Sequence, residues 1–140
     1  MAAPQYILAL DYGEKRVGVA LSHTVARLPR PLTTLPNDDK LMSNIQQLVI
    51  DEDAGLVVVG LPRGMDGGYT AQTRAAEQFA VELRAVLAVP VELADETLTS
   101  VDAETHLGSG PYAKGDVDAV AASLILERYL ADHPTEGVRS

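Results

Sequence analysis

The chain has 140 residues, 46% of them hydrophobic, which is enough for one domain with a full core and excludes a disordered chain. Its 20 acidic and 11 basic side chains give a net charge of −9, which on average repels nucleic-acid phosphate, so such a partner requires a local basic face. With no cysteine there is no disulfide, thiolate metal site or cysteine nucleophile, and no apolar run approaches the roughly 20 residues of a membrane span.

The first strand is expected at Ile7–Leu10, an unbroken apolar run that fits a central strand buried on both faces. It ends in Asp11, whose carboxylate is costly there unless a cation or hydrogen bonds receive it. Gly13 supplies a turn, flanked by Lys15 and Arg16, and Val17–Leu21 reads as the returning strand. Pro29, Pro31 and Pro36 assign Leu32–Leu35 to a sheet edge. Asp38 or Asp39 is placed to cap a helix reaching about Asp51, with Leu41, Ile45, Leu48 and Val49 on one face.

Gly55–Pro62 is a β-branched run bounded by Gly and Pro, as expected of a buried parallel strand. A glycine-rich loop, 63–68, precedes a helix from about Thr70 to Leu87 that turns Ala76, Phe79, Ala80, Leu83 and Leu87 inward. Val91–Glu96 is the next strand. Thr99 with Asp102 matches a helix start, and that helix ends near Gly108. A second loop, 108–115, contains Tyr112 and Lys114. The last helix begins near Asp116 and is expected to pack through Val117, Val120, Ala121, Leu124, Ile125 and Leu130. Strand–strand–strand followed by helix–strand alternation specifies an α/β fold: one five-stranded mixed sheet, a three-strand antiparallel meander plus two parallel strands, flanked by helices. The expected organisation is a single domain over residues 1–134 with a loose tail at 135–140. The start, Met-Ala-Ala-Pro-Gln, lacks a signal-peptide core, and with the absence of cysteine this gives a cytoplasmic expectation.

Three sets of acids fall at element ends: Asp11 closes the first strand, Asp95-Glu96 the last strand, and Asp118 opens the last helix. Each has an ordinary structural explanation when taken alone, as a turn residue, a solvated strand end or a helix-dipole partner. Together they lie where open α/β sheets build sites, at the carboxyl ends of strands. Converging carboxylates repel one another and require cations. Hard oxygen donors suit Mg²⁺ or Mn²⁺, and a pair of such ions is suited to in-line phosphodiester cleavage.

Asp11-Tyr12-Gly13-Glu14-Lys15-Arg16-Val17-Gly18-Val19-Ala20 resembles the opening motif of the YqgF/RuvX family of Holliday-junction resolvases. Val59-Gly60-Leu61-Pro62 with Met65-Asp66-Gly67 resembles the second motif, Asp95-Glu96 with Leu98-Thr99 the third, and Lys114-Gly115 with Val117–Ala122 the fourth. The resemblance runs from about Tyr6 to Leu130. It implies an RNase H-like fold and a metal-dependent nuclease with Asp11, Glu96 and Asp118 as catalytic metal ligands, Asp95 being the less favoured of its pair. It also implies a role in maturing the 5′ end of the small-subunit ribosomal RNA precursor. Two positions depart from the family pattern. Thr97 stands where the family commonly has Arg, and Gly115 stands where related resolvases carry a fourth acid.

Lys15, Arg16 and Lys114 are the candidate contacts to a nucleic-acid backbone, and Tyr69 and Tyr112 in the loops are candidates for base stacking or for packing on a helix. Arg27, Arg30, Arg63 and Arg74 would extend a basic face. Branched DNA and precursor rRNA both remain open as substrates, and cutting a two-fold symmetric junction favours a homodimer. The alternative is a non-catalytic nucleic-acid-binding factor in ribosome assembly or transcription. An Asp-x-Gly hairpin also opens the sugar-kinase and actin-like ATPases, but those need two such domains. His23, His106 and His133 lack metal-ligand spacing and read as surface or loop residues.

Overall fold

The computed structural model describes residues 6–62, 68–96 and 114–133, with side chains omitted at 96 and 114–116. Five strands form one sheet: β1 (Tyr6–Tyr12), β2 (Arg16–His23), β3 (Arg30–Pro36), β4 (Ala54–Pro62) and β5 (Val91–Glu96). Their spatial order is β3-β2-β1-β4-β5, so the Asp11 strand is central and the proline-rich strand is an edge. β1–β2 and β2–β3 are antiparallel, and β1–β4 and β4–β5 are parallel. This is the mixed sheet expected from the order of elements. The helix expected at 99–108 lies outside the described residues.

Side-chain alternation divides the core into two layers. Leu8 and Leu10 of β1, with Val17, Val19 and Leu21 of β2 and Val57, Val59 and Leu61 of β4, pack beneath helices α1 (Leu41–Asp51) and α2 (Ala71–Val86). The alternate positions, Ile7, Ala9, Ala20 and Val58, pack on helix α3 (Lys114–Asp132) through Ala122, Ile125, Leu126, Tyr129 and Leu130. The sheet is thus covered on both faces. The α3 side is lined with smaller residues, so this helix lies close to the strands.

α2 begins where expected. Thr70 is its N-cap, its side chain accepting the Thr73 N–H while the Thr73 side chain accepts the Thr70 N–H. The Thr73 hydroxyl also donates to the Pro62 carbonyl and is fully buried, which ties the start of α2 to the end of β4. One expectation is corrected. Neither Asp38 nor Asp39 caps α1: Lys40 is the N-cap, without a side-chain bond, and Asp38 instead accepts the Lys40 N–H at 2.9 Å in the preceding turn. On α3 the expected residues divide between two hydrophobic groups, Ile125 and Leu130 joining the layer with β1, β2 and β4. Val120 and Ala121, with Val117 and Leu124, form a separate small cluster. This helix is apolar nearly all round, so its pattern does not fix a unique inward face.

Candidate active site

The site is assembled at the carboxyl end of β1 by close backbone packing. Asp11 pairs with Gly18 across the antiparallel β1–β2 ladder. Gly18 has no side chain, and the N-terminal part of α3 occupies the space: a Cβ at residue 18 would lie 1.9 Å from the Asp118 carbonyl oxygen. A strand-interior glycine permits this approach of another backbone. By alternation, Arg16, Gly18 and Ala20 share the α3 side of β2, as Ile7, Ala9 and Asp11 share that side of β1. Asp11 and Asp118 therefore stand on one face of the sheet, separated by Gly18.

Asp118 is held by an ion pair. The Arg16 Nε donates to its Oδ2 at 2.7 Å, with both side chains partly exposed. The hairpin that presents Arg16 is itself braced. Asn37 donates its side-chain amide to the Gly13 carbonyl at 2.7 Å and its backbone N–H to the Lys15 carbonyl at 2.9 Å. Gly13 is required in this turn, because a Cβ there would lie 2.7 Å from the Arg16 carbonyl oxygen. Lys15 is exposed at its tip.

The acidic pair on β5 divides between the two sides of the sheet. Asp95 is in register with Leu61, and Leu93 with Val59; Leu61, Val59 and Leu93 all belong to the α1/α2 layer. Asp95 thus shares that side, and it is exposed. The intervening Ala94 packs on the α3 layer, and the backbone position of Glu96 has the same parity as Ala94. Among the described residues no three acidic or histidine side chains gather in a metal-binding group. The side chains of Glu96 and Lys114 are outside the described atoms. The other side of the β1 end carries a cleft between Tyr12, Gly13, Glu14 and the first turns of α2 at Ala71, Gln72 and Ala75. Tyr12 there stacks in tilted fashion on Phe79, their ring centroids 4.5 Å apart.

The other candidates separate. Arg27 has a left-handed backbone (φ 56°) and donates to the carbonyls of Leu130 and His133 at the end of α3. Arg30 pairs with Leu21, whereas Arg16 pairs with Pro36, so Arg27 and Arg30 lie toward the opposite end of β2 from Arg16. Of the seven basic residues considered from the sequence, Arg27 and Arg30 therefore do not join Arg16 beside the acids. Tyr69 is half-exposed and its hydroxyl donates to Glu77 on α2, in keeping with packing on the helix. Tyr112, Arg63 and His106 lie outside the described residues. His23 accepts the N–H groups of Val25 and Ala26 and contacts Tyr6 edge-on, and His133 stacks on Tyr129. Both are structural. Sequence reading did not assign Gly18 its packing role, although a glycine inside a β-branched strand is a signal of close approach. Nor did it find the Arg16–Asp118 ion pair, because a contact spanning 102 residues leaves no local trace.

A family model described as RuvX, Holliday junction resolvase, matches residues 5–132. A Chloroflexus aggregans protein named "Putative pre-16S rRNA nuclease" is 46% identical over 132 residues, covering 90% of this chain and 93% of its own. A protein of the same name from Paraburkholderia phymatum is 38% identical, covering 94% and 88%. Among solved structures, Thermus thermophilus RuvC in complex with Holliday junction substrate has the same fold, with a TM-score of 0.57 at 14% identity, covering 94% of this chain and 97% of that one. The match over nearly the whole chain, together with relatives well above 30% identity, shows that this chain belongs to the RuvX family of Holliday junction resolvases.

Proposed function

We propose that this nuclease uses Asp11, Glu96 and Asp118 to hold divalent cations and hydrolyse phosphodiester bonds in structured nucleic acid, either branched DNA or the 5′ end of precursor small-subunit rRNA. The observation that carries this reading is the shared side of the sheet. Asp11 and Asp118 stand on the same side of the sheet with Gly18 between them, and position 96, unlike position 95, has the parity of that side. The donor set fits the cation: carboxylate oxygens, in a chain without thiols, suit Mg²⁺ or Mn²⁺. Such ions, when bound, supply a water of lowered pKa and stabilise the departing oxygen.

The chain's own residues do the positioning. β1 fixes Asp11 from a fully buried run, Leu8–Leu10, so its backbone has little freedom. The α3 backbone lodged on Gly18 fixes Asp118 relative to it. Lys15 and Arg16 of the hairpin and Lys114 at the start of α3 are assigned to the nucleic-acid backbone. A symmetric junction substrate would be served by a two-fold dimer.

The test is cleavage of matched substrates, namely four-way junction DNA, linear duplex DNA and precursor rRNA, each with Mg²⁺ and with Mn²⁺. The expected result is metal-dependent cutting of the junction or the precursor, leaving 5′ phosphate and 3′ hydroxyl ends, with linear duplex cut more slowly. No cleavage of any substrate with either metal would leave a nucleic-acid-binding factor as the better reading.

A further inference from the structure

We infer that Arg16 is a positioning residue that holds Asp118 as a counter-cation, and that a divalent ion competes with it for this carboxylate. The inference rests on the proposed metal role of Asp118.

Three observations support it. The contact is specific: the guanidinium engages Oδ2 through Nε alone, at 2.7 Å. Its two Nη groups make no further hydrogen bond among the described residues. The pair is therefore not a closed two-point fork of the kind that makes a permanent structural bridge. Secondly, the pair is accessible, with the side chains 39% and 26% exposed, so an ion and its water shell can reach the carboxylate. Thirdly, both partners are fixed from below. Arg16 leaves a hairpin braced by Asn37, and the Asp118 backbone is seated on Gly18. The cation is held at the acid by the fold and does not depend on a flexible tail.

The physical consequence has a definite sign. In the absence of ions, Arg16 offsets repulsion between Asp118 and the other acids and holds the carboxylate in one orientation. A divalent ion arriving at Asp118 then meets a fixed positive charge. For separations of about 6 Å in water-like surroundings, that repulsion corresponds to about a tenfold weakening of ion binding. A phosphate entering the site offers the guanidinium an alternative partner and so relieves the competition. Ion binding and nucleic-acid binding are thereby linked, each favouring the other.

The experiment measures Mn²⁺ affinity of the full chain by calorimetry for wild type, Arg16→Gln, Arg16→Lys and Asp118→Asn, with circular dichroism to confirm folding. The expected result is that Arg16→Gln binds Mn²⁺ about tenfold more tightly, Arg16→Lys stays near wild type because the charge remains, and Asp118→Asn binds at least tenfold more weakly. Unchanged or weaker binding by Arg16→Gln, with Asp118→Asn impaired, overturns the competition and leaves the metal site intact. Equal tightening in Arg16→Lys also overturns it, since charge would not be the cause. Wild-type Mn²⁺ affinity in Asp118→Asn removes the metal role of Asp118 itself.

Discussion

Gly18 and Asp118 are in backbone contact: the space a Cβ would fill at residue 18 is taken by the Asp118 carbonyl, with its oxygen 1.9 Å and its carbon 2.3 Å from the ideal Cβ position. A methyl group there must displace helix backbone, which cannot rotate away as a side chain does. Gly18→Ala is expected to destabilise the domain by about 1–3 kcal/mol, the usual range for overpacking. It is also expected to reduce cleavage in the fraction that remains folded, because α3 and Asp118 move away from Asp11. Urea unfolding and cleavage at low temperature read the two effects separately. Wild-type stability and cleavage together would mean that α3 is not seated on Gly18.

The capping residues of α2 make a prediction about stability alone. Thr73→Val keeps the shape but removes the hydroxyl that bonds both Thr70 and Pro62. The loss of the reciprocal cap and of a buried hydrogen bond should cost about 1–2 kcal/mol, seen as a lower urea midpoint with an unchanged slope. Metal affinity should not change, since Thr73 belongs to the α1/α2 side of the sheet. A changed metal affinity would show that α2 helps to position the acids.

Much of the fold was legible because its strands are short, apolar and clearly bounded. Ile7–Leu10 read as a buried central strand, Gly55–Pro62 as a buried parallel strand, and the prolines of β3 as an edge, as found. The capping position Thr70 was visible in the same way, because a cap is a local device. α3 was less legible. Valine, alanine and leucine recur on all its sides, so periodicity places the helix without fixing its rotation. The candidate acids were legible as strand and helix ends. Their relative placement was not, because it depends on the Gly18 contact and on register parity between β4 and β5, both of which are tertiary.

Tyr129 gives a pH prediction. Burial and the neighbouring Glu92, which accepts its hydroxyl at 2.8 Å, push its pKa up from 10.0 to about 12. The folded state thus holds this proton more tightly than the unfolded chain does. The contribution is fully present below pH 10 and is lost as pH rises through about 12. Wild-type stability should fall over that window, and Tyr129→Phe should be less stable at neutral pH yet lose less between pH 10 and 12. Urea midpoints at a series of pH values check this. Parallel losses in both proteins would assign the alkaline transition to other groups.

Lys15 stands exposed at the hairpin tip and is proposed to contact nucleic-acid phosphate. Lys15→Gln should reduce the slope of log affinity against log salt by about one for all nucleic-acid sequences, as expected for one lost phosphate contact. Binding to junction DNA in Ca²⁺ at several salt concentrations measures it. An unchanged slope would place the hairpin tip off the binding face.

The most direct test of the proposed site is Asp11→Asn, which keeps the size of the side chain and removes its charge. Cleavage rate is measured against Mg²⁺ and Mn²⁺ concentration on the substrate that wild type cuts, with binding measured separately in Ca²⁺. If Asp11 holds the cations, cleavage falls at least a hundredfold even at saturating metal, while nucleic-acid binding is preserved or improved because a charge facing phosphate is gone. Wild-type cleavage by Asp11→Asn at saturating metal would contradict a site built on Asp11.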